Sequence, residues 1–233
     1  MLKELGFEQT PLGEISLRQR HDSVLGRDVH EIKLNEEFLM SSAFTAGEIA
    51  LADIALGESK KLAPHVMVGG LGLGYTAQAA LAHAKTHRVT IIETLPSIIQ
   101  WHRESLLPLG PELINDARCK IVEGDFFALA AQTKGFRQVA GHSIDILLLD
   151  IDHSPRHRLI DGQPGFYHAE SLAQMAHQLN EDGVFAMWSN DAPDDTFLLE
   201  LSRVFSAATC QQIFFENPYS GGQSSNTIYL AHK

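Results

Sequence analysis

Cysteine is nearly absent from this chain: Cys119 and Cys210 are the two in 233 residues, and they lie far apart. Neither a disulfide framework nor a thiolate metal site is expected from them. Basic residues are also scarce. Lys and Arg number 18 against 29 Asp and Glu, a formal charge of −11, so the general field repels nucleic acid and favours small cations. No apolar run is long enough to span a bilayer. The opening MLKELGFEQTPLGEISLRQR has no apolar stretch after a basic segment and does not read as a secretory leader. The expectation is a cytoplasmic protein with neither a membrane nor a nucleic-acid partner.

What is present is an ordinary globular composition, 44% apolar and 20% charged, long enough to bury a full core. From Glu14 to Leu39 apolar and polar residues alternate, as in Ile15-Ser16-Leu17-Arg18 and Val29-His30-Glu31-Ile32. Period two with breaks at Gly26-Arg27 and Asn35-Glu36 predicts a small antiparallel sheet. A helix is predicted within Phe44 to Leu56, where Ala residues surround Ile49, Leu51 and Ile54. After Pro64, strands and helices alternate in the manner of a parallel sheet covered on both faces. Strands are predicted at His65–Val68, Arg88–Glu93, Cys119–Glu123, Ile144–Asp150, Val184–Ser189, Cys210–Phe215 and Thr227–Ala231. The intervening helices are Tyr75–Lys85, Ser97–Leu107, Phe126–Gln132, Phe166–Leu179 and Asp195–Ala207. The last two strands are joined by Asn217-Pro218-Tyr219-Ser220-Gly221-Gly222, which predicts an antiparallel hairpin closing the sheet. The expected organisation is an N-terminal β element over 1–42 and a nucleoside-binding α/β domain over 43–233.

The chemistry concentrates at the predicted strand ends. Val66-Met67-Val68 runs into Gly69-Gly70-Leu71-Gly72-Leu73-Gly74, and Gly70, Gly72 and Gly74 allow a tight turn against which a ligand can lie close to the backbone. The same glycines would also serve a bare strand-to-helix turn. The next strand ends in Glu93, placed to accept hydrogen bonds from two ribose hydroxyls. The third ends in Glu123-Gly124-Asp125-Phe126, offering a carboxylate to an adenine amino group and the Phe126 ring to the base. Asp125 is equally suited to cap the helix that starts at Phe126.

Asp150 ends the fourth strand, where the crevice of an open α/β sheet lies. It is the candidate catalytic residue, with a strand-end cap as the plainer alternative. The segment from Ile151 to Pro164 covers the crevice as a lid or merely connects two elements. His153 and His157 are four apart, but Pro155 between them removes a metal-binding helix, and no metal is expected. Tyr167 points toward an acceptor or packs under the lid. Trp101 and Trp188 read most simply as packing residues.

In order and type, these motifs resemble the class I methyltransferase fold and, more narrowly, the spermidine synthase family of aminopropyltransferases. The resemblance spans nearly the whole chain: the N-terminal strands, Glu48-Ile49-Ala50-Leu51-Ala52, the glycine turn, Glu93, Gly124-Asp125, Asp150, Phe166-Tyr167 and Asn180-Glu181-Asp182-Gly183. It implies an α/β, Rossmann-like fold whose mostly parallel seven-stranded sheet ends in the antiparallel hairpin. It also implies decarboxylated S-adenosylmethionine as donor and a homodimer, with Asp150 helping to deprotonate the attacking amine. Three positions depart from the family pattern. The glycine turn usually reads GGGDGG, its Asp holding the amine of the aminopropyl group, and Leu73 stands there. The tyrosine and polar residue before the glutamate matching Glu48 are Ala46 and Gly47. The second substrate aspartate falls at His153 or is shifted to Asp152. Asp152, His153 and Tyr167 are the candidate acceptor residues, and the acidic set Asp150, Asp152 and Asp161 is suited to a cation.

The expected function is therefore alkyl transfer from S-adenosylmethionine or its decarboxylated form to a small amine, with altered specificity and weak use of putrescine. Methyl transfer from intact S-adenosylmethionine to a small molecule, and nucleoside binding without catalysis, are the alternatives.

Overall fold

The computed structural model describes residues 2–35, 37–157 and 165–233. Four strands, β1 (Leu2–Thr10), β2 (Gly13–Asp22), β3 (Arg27–Leu34) and β4 (Glu37–Ser41), form an antiparallel sheet in sequence order. The alternation in β2 and β3 buries Ile15, Leu17 and Ile32. Strand β1 lies before the predicted alternation. Most of its residues are exposed, so no period-two pattern marks it. Gly6 within it faces the indole of Trp101, and a Cβ there would lie 2.4 Å from Nε1; Trp101 is a packing residue. Of the turn predicted at Asn35-Glu36, Glu36 lies outside the described residues.

Helix α1 (Ala46–Glu58) leads into β5 (His65–Gly69), α2 (Tyr75–Ala82), β6 (Arg88–Glu93), α3 (Pro96–Arg103), α4 (Gly110–Asn115) and β7 (Cys119–Glu123). The second half continues with α5 (Phe126–Ala130), α6 (Gly135–Ala140), β8 (Ile144–Leu149), α7 (Ala169–Ala176), β9 (Leu179–Ser189), α8 (Asp195–Ser202), β10 (Ala207–Asn217) and β11 (Gly222–His232). The seven strands of the larger sheet run in the order β10-β11-β9-β8-β5-β6-β7. Neighbours from β9 to β7 are parallel, and β11 pairs antiparallel with both β9 and β10. This is the expected α/β architecture with its closing hairpin.

Helix lengths differ from the predicted ones for local reasons. Ser105 has φ 58°, just beyond the end of α3. The helix predicted to start at Phe166 starts at Ala169, because Phe166 and Tyr167 form a buried turn before it. Strand β9 begins at Leu179, which pairs with Ile144; the ladder then skips Asn180 to Gly183 and resumes with Val184 opposite Ile146, while Asn180 Nδ2 donates to Asp145 Oδ1 at 2.8 Å. The short helices α4 and α6 were not predicted; each has six residues, too few to show a helical period.

One buried apolar cluster joins Ile15, Leu17 and Ile32 of the small sheet to Leu51 and Leu56 of α1 and to Val66, Ile91 and Ile146 of the large one. Strand β5 lies between β6 and β8. Chain order reverses at that point, and α/β sheets open their ligand crevice there, beyond the carboxyl ends of the strands.

Candidate functional site

The glycine turn follows β5. Gly70 and Gly74 have φ 95°, in the left-handed region that favours glycine. A Cβ on Gly70 would lie 2.1 Å from the Asp150 carbonyl oxygen, so glycine there is what lets the ends of β5 and β8 close on one another. The Asp150 N–H donates to Gly69 O at 2.9 Å. Burial lowers the pKa of His102, opposed by the hydrogen bond its Nε2 makes with the Gly72 carbonyl at 2.8 Å.

Two cavities flank this turn. The first, about 790 Å³, is lined by Gly70, Glu93, Leu95, Asp125, Phe127 and Asp152 among others. Glu93 is buried, and its two oxygens accept the N–H groups of Leu71 (3.0 Å) and Leu95 (2.8 Å). Burial pushes its pKa up while these amides pull it back. Asp125 accepts the Ala128 N–H at 3.0 Å and caps α5, and it also lines the cavity.

Phe126 corrects an expectation. Its ring is 1% exposed and packs under Gly69, with Phe136 and Phe166 at 5.1 and 5.8 Å between centroids. The ring in the cavity wall is Phe127. Successive helical residues point about 100° apart, so only one of the pair can face outward.

The second cavity, about 480 Å³, is lined by Glu48, Leu73, Tyr75, Asp150, His153 and Trp188 among others. Leu39, Met40 and Ile151 line both cavities. Asp150 is half-buried, and Thr76 Oγ1 donates to its Oδ2 at 2.6 Å. Desolvation raises its pKa, opposed by the Thr76 hydrogen bond. Glu48 stands in the first turn of α1, where the helix dipole favours an anion. Burial raises its pKa first, and the charge of Asp150 raises it further. Among the described residues no Lys, Arg or His forms an ion pair with either carboxylate. Trp188 lies against Gly47: a Cβ at that position would be 2.4 Å from the indole Nε1, which is buried without a hydrogen-bond partner.

Of the three expected acceptor residues, His153 lines the second cavity. Asp152 lines the first instead, and the Tyr167 hydroxyl donates to its Oδ2. Tyr167 is buried against Phe166 and Phe197; it packs beneath the loop, away from the second cavity. Two residues after Asp150 the chain has turned back over the glycine turn, which the sequence does not reveal. Of the expected lid, residues 151–157 are described, with Arg156 Nε bonded to Asp194 Oδ2 at 2.7 Å. Its remainder, including Arg158 and Asp161, lies outside the described residues. Glu48, Thr76, Phe127 and Trp188 were not named as site residues from sequence. The family resemblance around Glu48 and the acidic first turn of α1 were the signals available for it.

Residues 48–221 match the family model for the spermine/spermidine synthase domain. No curated protein matches the chain. Among solved structures, spermidine synthase from Thermotoga maritima superposes with a TM-score of 0.72 at 18% identity, covering 99% of this chain and 73% of that one. A spermidine synthase in complex with the transition-state analogue AdoDATO gives 0.72 at 20% identity, with 99% and 74% covered. A probable spermidine synthase from Corynebacterium glutamicum gives 0.64 at 15% identity, with 100% and 80% covered. At these identities the superpositions speak for the fold.

Proposed function

The chain belongs to the spermine/spermidine synthase domain family, and from that premise we propose that it transfers an aminopropyl-type group from decarboxylated S-adenosylmethionine to a small amine. The observation that carries this reading is the Glu48 and Asp150 pair. Two desolvated carboxylates with no counter-ion among the described residues border a cavity beside the glycine turn, and desolvated anions of this kind favour a cationic ligand.

In this reading the first cavity takes the donor nucleoside. Gly70, Gly72 and Gly74 let it approach the backbone, Glu93 receives the ribose hydroxyls, Asp125 the adenine amino group, and Phe127 lies along the base. The second cavity takes the amine. The neutral amine attacks the carbon beside the sulfonium in line; the C–N bond forms, the C–S bond breaks, and its electron pair leaves on a neutral thioether. The proton shed by the new ammonium goes to Asp150, with His153 beside the nucleophile. The reading carries with it a cytoplasmic homodimer paired through the N-terminal strands, which light scattering would report as twice the chain mass.

One observation favours a second reading, methyl transfer from intact S-adenosylmethionine: Leu73 brings an apolar side chain to the second cavity, so that position offers no carboxylate for the amine of an aminopropyl group. Donor identity separates the two. Calorimetric titration with both donors, followed by analysis of the released nucleoside, decides. Methylthioadenosine as product supports aminopropyl transfer, S-adenosylhomocysteine supports methyl transfer, and tight donor binding with neither product leaves a nucleoside-binding protein.

A further inference from the structure

The charge in the second cavity is confined to one place. Glu48 and Asp150 line the same cavity, where the charge of Asp150 raises the pKa of Glu48, and among the described residues nothing else in the wall is acidic. Apart from His153 and Tyr75, the remaining described side chains of the wall are apolar: Leu39, Met40, Leu71, Leu73, Ile151 and Trp188. The Tyr75 hydroxyl is engaged with Ser42. Gly47 is part of the same arrangement, because a side chain there would occupy the space of the indole ring. The small residue before Glu48 therefore makes room for a flat apolar wall beside the anionic pair.

An ammonium group seated on the pair is compensated, and the adjacent indole adds a cation–π contribution. A second ammonium on the same ligand would lie against apolar side chains and lose its hydration with no counter-charge among the described residues. A hydrocarbon chain at the same place would instead strengthen binding by about fourfold per buried methylene.

We infer that the acceptor cavity selects a monoamine with an apolar tail over a diamine, with Leu73 and Trp188 as the residues that set this preference; the inference rests on the transferase reading above. The ligand class is a primary amine carrying an alkyl or aromatic group that covers this wall.

The test is calorimetric binding of hexylamine, butylamine and 1,4-diaminobutane to the full chain saturated with methylthioadenosine, which needs no turnover. Hexylamine is expected to bind at least tenfold more tightly than 1,4-diaminobutane, and about sixteenfold more tightly than butylamine, fourfold for each of its two extra methylenes. A diamine that binds as well as hexylamine, or no detectable binding of any amine, overturns the inference. Leu73→Asp is expected to narrow the gap at least tenfold, while Trp188→Ala weakens hexylamine more than the diamine; an unchanged gap in both folded variants counts against it. The wild-type order decides if a variant fails to fold. Release of methylthioadenosine from the decarboxylated donor is measured separately. No release with any amine, alongside the expected binding order, defeats the transfer reading and leaves the ligand class standing.

Discussion

Glu93 and Glu48 are both glutamates in cavity walls whose pKa values are raised by burial, yet their surroundings differ. Glu93 holds two backbone N–H groups, one from the glycine turn and one from the entry to α3. Its carboxylate ties the first cavity together through those amides. Glu48 faces another carboxylate, Asp150, with no cationic partner among the described residues. One region is organised by its own backbone before any ligand arrives. The other carries a surplus of negative charge that a cationic ligand would relieve. The first arrangement favours order and the second favours binding at some cost in stability.

The largest effect expected is at Asp150. Asp150→Asn keeps the shape and the Thr76 contact but removes the proton acceptor, so turnover should fall a hundredfold or more while donor affinity changes little. Single-turnover kinetics beside donor titration checks this; a parallel loss of donor affinity would make Asp150 a donor ligand and erase the contrast between the cavities. The pH profile sharpens it. Asp150 must be ionised to take a proton, and its pKa is raised, so the rate should decline with falling pH above the usual carboxylate range.

Next is Glu93→Ala, expected to weaken nucleoside binding by about 2–4 kcal/mol, since hydrogen bonds to a charged acceptor are among the stronger ones. Loss of the Leu71 and Leu95 contacts adds disorder in the turn, which amide hydrogen exchange at Leu71 and Gly72 would register. Unchanged donor affinity would sink the ribose assignment.

A smaller effect of opposite sign is expected at Glu48. Its folded-state pKa lies above the unfolded one, so the stability linked to it is fully present below the ordinary carboxylate range and is lost as pH rises through the raised value. Glu48→Gln removes that loss. The variant should be more stable than wild type at pH 8 by about 1–2 kcal/mol, or about 2–8 °C in Tm for a chain of this size, with the gap closing toward pH 4. Thermal melts at both pH values measure it, and an equal gap at both would mean the pair is not repulsive.

The smallest expected effect separates the two phenylalanines of α5. Phe127→Ala should cost about 1 kcal/mol of donor affinity, the worth of a ring against a base, with little change in melting temperature. Phe126→Ala should act mainly on stability. Calorimetry and melts on both variants would reverse the present assignment if their effects were exchanged.

The order of strands, the glycine turn, Glu93, Asp125 and Asp150 were legible in the sequence because a parallel α/β sheet brings every strand's carboxyl end to one side. A residue's position at a strand end is then nearly a spatial coordinate. Only the tertiary structure decided the rest. Strand β1 is exposed on an edge, so its sequence carries no burial period to read. The choice between Phe126 and Phe127 depends on how α5 is rotated against Gly69. Asp152 lines the first cavity, with Tyr167 buried and bonded to it, because the chain folds back after β8. Most telling is Glu48, an ordinary first-turn acid of a helix until α1 is packed beside the end of β8. Local pattern records which face a residue presents, but charge compensation is a property of neighbours distant in sequence, and that is set only when the elements are assembled.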